Sequence, residues 1–206
     1  MKKIAFILFI VMILPVFTLA QEQLPAQKHE IGIVFSSFNN FGMVYKTGKK
    51  NTLFRARLLA LDLGISSATS NKSDSTKTKH SGYGAGILLG FEKRVPIVKH
   101  LSFVAGLDAG VQYTYSRTEF EYFTYSLDTQ YKRWTISPVL SGVIGFSYTI
   151  KEALVLSVEL YPSVVYSFTK EKGTYQGSDY EVKEKNLGFG FSNSTAGITV
   201  AYRFGK

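Results

Sequence analysis

Few residues in this sequence have the type and spacing that chemistry needs. There is no cysteine, which removes thiolate nucleophiles and cysteine-bound metals. The three histidines, His29, His80 and His100, stand far apart, and none has a second ligand at metal spacing. The nucleophile elbow, the phosphate loop and the HExxH zinc motif are all missing. One pair has catalytic character: His80 and Ser81, with Asp74 nearby, carry the groups of an ester-cleaving triad. A polar loop does not hold three such groups in place, so no catalytic residue, metal or cofactor is expected.

The second chemical set is ionic. Glu30, Lys46, Arg55, Arg57, Asp62, Glu92, Asp108, Arg133, Glu159 and Arg203 fall on the polar face of alternating segments. Five are acids and five are bases. Enclosed together they must pair, because removing one partner of a buried pair costs about 3–5 kcal/mol. The expected chemistry is a neutralised charge network, with a gated ion path as the alternative. Two further groups have binding character. Lys72, Lys77, Lys79 and His80 make a basic stretch, and Lys170, Lys172, Lys183 and Lys185 mix with Glu171, Asp179, Glu181 and Glu184. Tyr122, Phe123, Tyr125 and Tyr131 add an aromatic stretch. Lys72, Lys77, Lys79, Tyr122 and Tyr125 are the candidate surface-binding residues.

The elements that position these groups read as long strands. In residues 101–116, LSFVAGLDAGVQYTYS, the odd positions are apolar or aromatic and the even ones mostly small or polar. A period of two marks a strand with one apolar face. Soluble strands average about 5–6 residues, whereas a tilted strand crossing a bilayer needs about 9–11. Residues 82–93, 132–149 and 153–169 alternate in the same way. Their other faces carry Gly, Ser, Arg133, Glu92 and Glu159. Two segments lose phase. In residues 52–66, Arg55 and Arg57 are odd while Asp62 and Gly64 are even, which predicts a bulge near residues 58–60. In residues 187–204 the phase is clear only from Ile198. Connections alternate between short turns and longer polar stretches at 68–80, 117–131 and 170–186. About eight strands result, forming an antiparallel up-and-down barrel. Aromatic residues cluster at both strand ends, as two membrane interfaces favour.

Residues 1–20 have the form of a cleaved export signal: Lys2 and Lys3, an apolar run, Pro15, and a small residue at Ala20. Residues 21–28 read as a short periplasmic lead-in and 29–206 as the barrel domain. The 206-residue chain carries a net charge of +9, and only 19% of its residues are charged. Without Lys2 and Lys3 the balance is 22 basic against 15 acidic residues. That excess suits anionic lipid headgroups at turns and loops better than nucleic acid.

The alternating strands over residues 30–204 and the terminal strand GITVAYRF resemble the small eight-stranded outer-membrane barrels of the PorT-like or OmpX/OmpA-like kind. In that family the last strand ends on an aromatic read by the barrel assembly machinery. Ile198, Val200, Tyr202 and Phe204 match this pattern, although Gly205 and Lys206 follow. The resemblance implies an outer-membrane location, Tyr202 and Phe204 as an assembly signal, and the assembly machinery, outer-membrane lipids and lipopolysaccharide as partners. An unknown surface partner is a further candidate. The expected role is structural or interactive. Two rivals are a rim enzyme acting on lipid A and an exported, soluble, lipocalin-like barrel.

Overall fold

A computed structural model describes residues 27–37, 40–70, 76–122, 129–175, 178–190 and 196–205. The expected export signal at 1–20 lies outside these residues. The described elements are β1 (Gln27–Ser37), β2 (Asn40–Lys49), β3 (Thr52–Ser70), β4 (Thr76–Val98), β5 (Leu101–Tyr122), β6 (Thr129–Ile150), β7 (Leu154–Leu160), β8 (Ser163–Tyr175), β9 (Ser178–Gly190) and β10 (Ala196–Phe204). β1 already includes Gln27 and Lys28, so the lead-in is shorter than its expected 21–28. The cause is pairing with Lys49 and Gly48 of β2.

Every pairing is antiparallel. β1 to β6 follow in order, β6 pairs with β7 and β8, β8 with β9, and β7 with β10. β10 returns to β1 and closes the ring. β7 and β8 are two lengths of one stave, separated by Tyr161 and Pro162; β9 and β10 are two lengths of the next. The ring therefore has eight staves. Following partners from Phe35 through β2–β5 reaches Ile136 on β6. Following them the other way, through β10 and β7, reaches Phe146, ten residues further along. A stagger of this size ties the strands to a tilt of roughly 35–45° and a narrow interior.

Burial is inverted relative to a soluble protein. β7 alternates exposed and buried with its charged Glu159 inside. Phe91, Leu107, Val158 and Ile198 are more than half exposed on the outer face, while Glu30, Lys46, Arg55, Glu92, Asp108 and Glu159 are buried. An apolar belt on this scale is untenable in water and matches a barrel in lipid. A lipocalin-like soluble barrel would need the opposite arrangement.

The segments expected as loops are largely strand. β4, β5 and β6 run for 23, 22 and 22 residues. At about 3.3 Å per residue and such a tilt, they rise roughly 55 Å, about twice the apolar band. The surplus lies at the long-hairpin end, because polar residues such as His80 and Thr118 still complete backbone ladders with neighbouring strands. The β1–β2 hairpin alone stays short, pairing Ser37 with Asn40. The bulge in β3 lies between Leu61 and Gly64, slightly beyond the expected 58–60. One extra residue there reverses the phase, which is why Arg55 and Gly64 occupy opposite parities.

At the short-turn end, Lys50, His100, Lys151 and Glu152 all have positive φ, at 53°, 73°, 47° and 61°. Lys151 and Glu152 together make the pair of left-handed residues that a tight hairpin turn demands. In non-glycine residues that conformation costs about 1–2 kcal/mol. Glu152→Gly is therefore expected to stabilise the barrel by about 1 kcal/mol, read as a higher midpoint in urea unfolding. A lower midpoint would mean that the Glu152 side chain contributes more than its backbone strain costs.

Candidate functional site

The lower half of the lumen is filled by one ion-pair network. Glu159 of β7 accepts from Lys46 of β2 at 3.0 Å and from Arg55 of β3 at 2.9 Å. Glu92 of β4 takes Lys46 at 2.8 Å, Arg55 at 2.8 Å and Arg94 at 2.7 Å. Asp108 of β5 meets Arg57 at 2.9 Å and Arg55 Nε at 3.3 Å. Glu30 of β1 holds Arg94 at 2.6 Å and Arg203 at 2.8 Å. Tyr161 closes the top. Its hydroxyl donates to Glu159 at 2.8 Å, and the Arg57 guanidinium lies 4.1 Å from its ring centroid. Alternation along the staves aims these side chains at one axis, and the stagger sets them in layers.

The network contains Glu30, Lys46, Arg55, Arg57, Glu92, Asp108, Glu159 and Arg203 from the expected set. Two members were not legible. Arg94 falls just beyond the strand expected at 82–93, whereas β4 continues to Val98 with Pro96 opposite Ser102. Tyr161 precedes a proline and sits where the stave is interrupted. The side chain of Asp62 lies outside the described residues. Arg133 is a correction. Its side chain is 51% exposed, and it pairs with Glu171 at 3.1 Å in the hairpin extension, far from the luminal acids. It occupies the inward face of β6, but above the closed part of the lumen.

Above the network the inner wall is hydroxylic. Ser137 and Ser167 are 2.9 Å apart, and Thr135 and Thr169 are 3.0 Å apart. Such cross-strand pairs satisfy polar groups without charge.

A second feature lies on the outer face. Tyr83, Tyr115 and Trp134 are neighbours across β4, β5 and β6, with ring centroids 5.3 and 5.8 Å apart. One register step further from the membrane, Ser81, Arg117, Lys132, Lys172 and Glu181 form the next row. Lys170, Lys183 and Lys185 share this face. With Lys79 opposite Glu119, seven cations stand on this face beyond or beside the aromatic row, against Glu119, Asp179 and Glu181. Glu181 is the hub, 3.0 Å from Lys170 and 3.2 Å from both Lys172 and Lys183. Hydrogen bonds from Lys170, Lys183 and Lys172 hold its carboxyl down to about 2, so it stays ionised at any physiological pH. Glu171 and Glu184 turn to the inner face with Arg133. The mixed charges of residues 170–186 are therefore sorted: bases mostly outward, these two acids inward.

The remaining candidates separate. Lys79 lies on β4 in the hairpin extension. Lys77 and Tyr122 belong to β4 and β5, but their side chains lie outside the described residues, as do Lys72, Asp74 and Tyr125 entirely. His80 and Ser81 are consecutive strand residues and so point to opposite faces. His80 Nδ1 is 3.0 Å from the Thr118 hydroxyl. That placement denies Ser81 its general base. Tyr202 and Phe204 are exposed on β10, and Phe204 stacks on His29 at 5.4 Å between centroids.

The outward apolar belt, two aromatic girdles and inward charges place this chain in the bacterial outer membrane as a β-barrel protein. No protein-family model and no curated protein sequence matches it. Among solved structures it is similar to a major outer membrane protein from Thermus thermophilus, at 12% identity and a TM-score of 0.47, over 87% of this chain and 100% of that one. It is also similar to Ail, the attachment invasion locus protein of Yersinia pestis, at 12% identity and 0.34, over 88% and 100%. A third is Acinetobacter baumannii CarO, at 11% and 0.31, over 90% and 99%. The strand pairing and inverted burial carry the fold; these likenesses accompany it.

Proposed function

We propose that this chain is a non-enzymatic, sealed barrel that anchors itself to anionic lipid of the outer leaflet through the outward face of its long hairpins. The observation that carries this reading is the row Arg117–Lys132–Lys172, set one register step beyond the aromatic row Tyr83–Tyr115–Trp134. Aromatic rings prefer the headgroup level. Cations immediately beyond them meet phosphate oxygens, each contributing about 1 kcal/mol near an anionic surface. Lys132 and Lys185 have no acidic partner among the described residues, which leaves them available. The charge network fills the lower lumen, so the outer surface rather than a pore is the working part. Under this reading the export signal at residues 1–20, the assembly signal at Tyr202 and Phe204, and lipopolysaccharide as partner all belong to one route to the outer leaflet.

The test compares purified wild-type and Lys132→Gln/Lys172→Gln barrels for lipopolysaccharide binding in a neutral detergent. The double variant is expected to bind about tenfold more weakly or worse, with salt weakening the wild type more than the variant. Equal affinities would remove the outer band as a lipid site.

A further inference from the structure

The short-turn end faces the periplasm in barrels of this kind, and it holds a cavity of about 330 Å³. Its charged lining is one-sided. Lys28, Lys50, Arg94, Lys99 and Arg203 border it beside His100, and no carboxylate does. Lys28, Lys50 and Lys99 form no ion pair among the described residues.

Charge singles this cavity out from a generally basic rim. Lys50 and His100 border it with left-handed turn backbones, at φ 53° and 73°, as Lys151 and Glu152 have in the neighbouring turn. The luminal network contains four described carboxylates, Glu30, Glu92, Asp108 and Glu159, against the five cations Lys46, Arg55, Arg57, Arg94 and Arg203. At the cavity floor Arg94 bridges Glu30 and Glu92, and Arg203 shares Glu30. A fixed positive floor beneath three unpaired lysines is complementary to a phosphate group. Ile97 and Val98 also border the cavity and are more than half exposed, so an apolar surface leads away from it.

We propose that this periplasmic mouth is a phosphate-binding site, fitted to a phosphate group carried either by an inner-leaflet phospholipid or by a small soluble ester. The site is independent of the outer lysine band. The experiment uses the full barrel in a neutral maltoside detergent, titrated separately with inorganic phosphate and with short-chain phosphatidylglycerol, followed by calorimetry. Saturable binding of one phosphate group per barrel is expected. Tighter binding of phosphatidylglycerol identifies a headgroup as the source, and equal binding identifies a free ester. Lys50→Gln/Lys99→Gln should weaken binding about tenfold or more. Lys151→Gln, at the same end but away from the cavity, should leave it unchanged. Lys50→Gly separates ligand from fold: it should raise the melting temperature by relieving the turn, yet weaken binding. Absence of saturation, equal loss in Lys151→Gln, or full binding by Lys50→Gly would each overturn the proposal.

Discussion

Arg55→Met is expected to destabilise the barrel by about 3–5 kcal/mol, the scale for removing one partner from a buried charge cluster. Arg55 is fully buried and touches Glu92, Asp108 and Glu159, so its loss leaves three carboxylates sharing Lys46, Arg57 and Arg94. Methionine keeps much of the volume, which leaves electrostatics as the main change. Arg133→Met is the matched control. That guanidinium is half exposed and pairs with Glu171 in the extension, where an ion pair contributes about 0–1 kcal/mol. Denaturant unfolding, followed by the fluorescence of the one tryptophan, Trp134, gives both numbers. Similar losses at the two positions would show that the luminal network is solvated, and planar-bilayer currents should then reveal an ion path.

Leu107→Arg should cost about 2–4 kcal/mol, the cost of an arginine on the lipid face near the bilayer midplane. Leu107 is 55% exposed and lies on β5 between Phe103 and Tyr113, which mark the two aromatic levels. Gln112→Ala, on the inward face of the same strand, should change stability little, because a neutral amide is replaced above the charge network. Heat-modifiability gels and refolding yield into vesicles distinguish the two. Equal tolerance would mean that the apolar belt does not face lipid.

Local alternation made the membrane-spanning part of the fold legible. Ile87, Leu89 and Phe91 against Gly86, Gly90 and Glu92 specify a strand, its two faces and its environment without tertiary information. The extensions were not legible, because alternation needs an apolar face and residues such as Thr76–His80 have none. Their strand geometry comes from cross-strand pairing with Thr118–Tyr122. The charge network was legible as a set, since an acid or base on the glycine face has nowhere else to go. Its membership failed at two places: Arg94 lies just beyond the strand expected at 82–93, and Tyr161, inward by parity in 153–169, carries no charge to mark it. Arg133 was misassigned for another reason. Parity gives the face but not the depth, and depth depends on the ten-residue stagger of the closed ring. The outer lysine row was legible only in part, as Lys170, Lys172, Lys183 and Lys185, because Arg117 and Lys132 become neighbours of Lys172 only through register.

Closure of the ring depends on the end of the chain. β10 meets β1 over seven residue pairs, from His29–Phe204 to Phe35–Ile198. Arg203 reaches Glu30 across a separation of 173 residues, and Phe204 stacks on His29 at the same seam. Contacts this distant are entropically the last to form. A chain cut short by about ten residues would retain both aromatic girdles in large part and most of the charge network. It would still present β1 and β7 as open edges, and an open edge is a template for unwanted pairing. The seam therefore works as a latch: the first and last described strands, each an open edge alone, protect one another only when they meet.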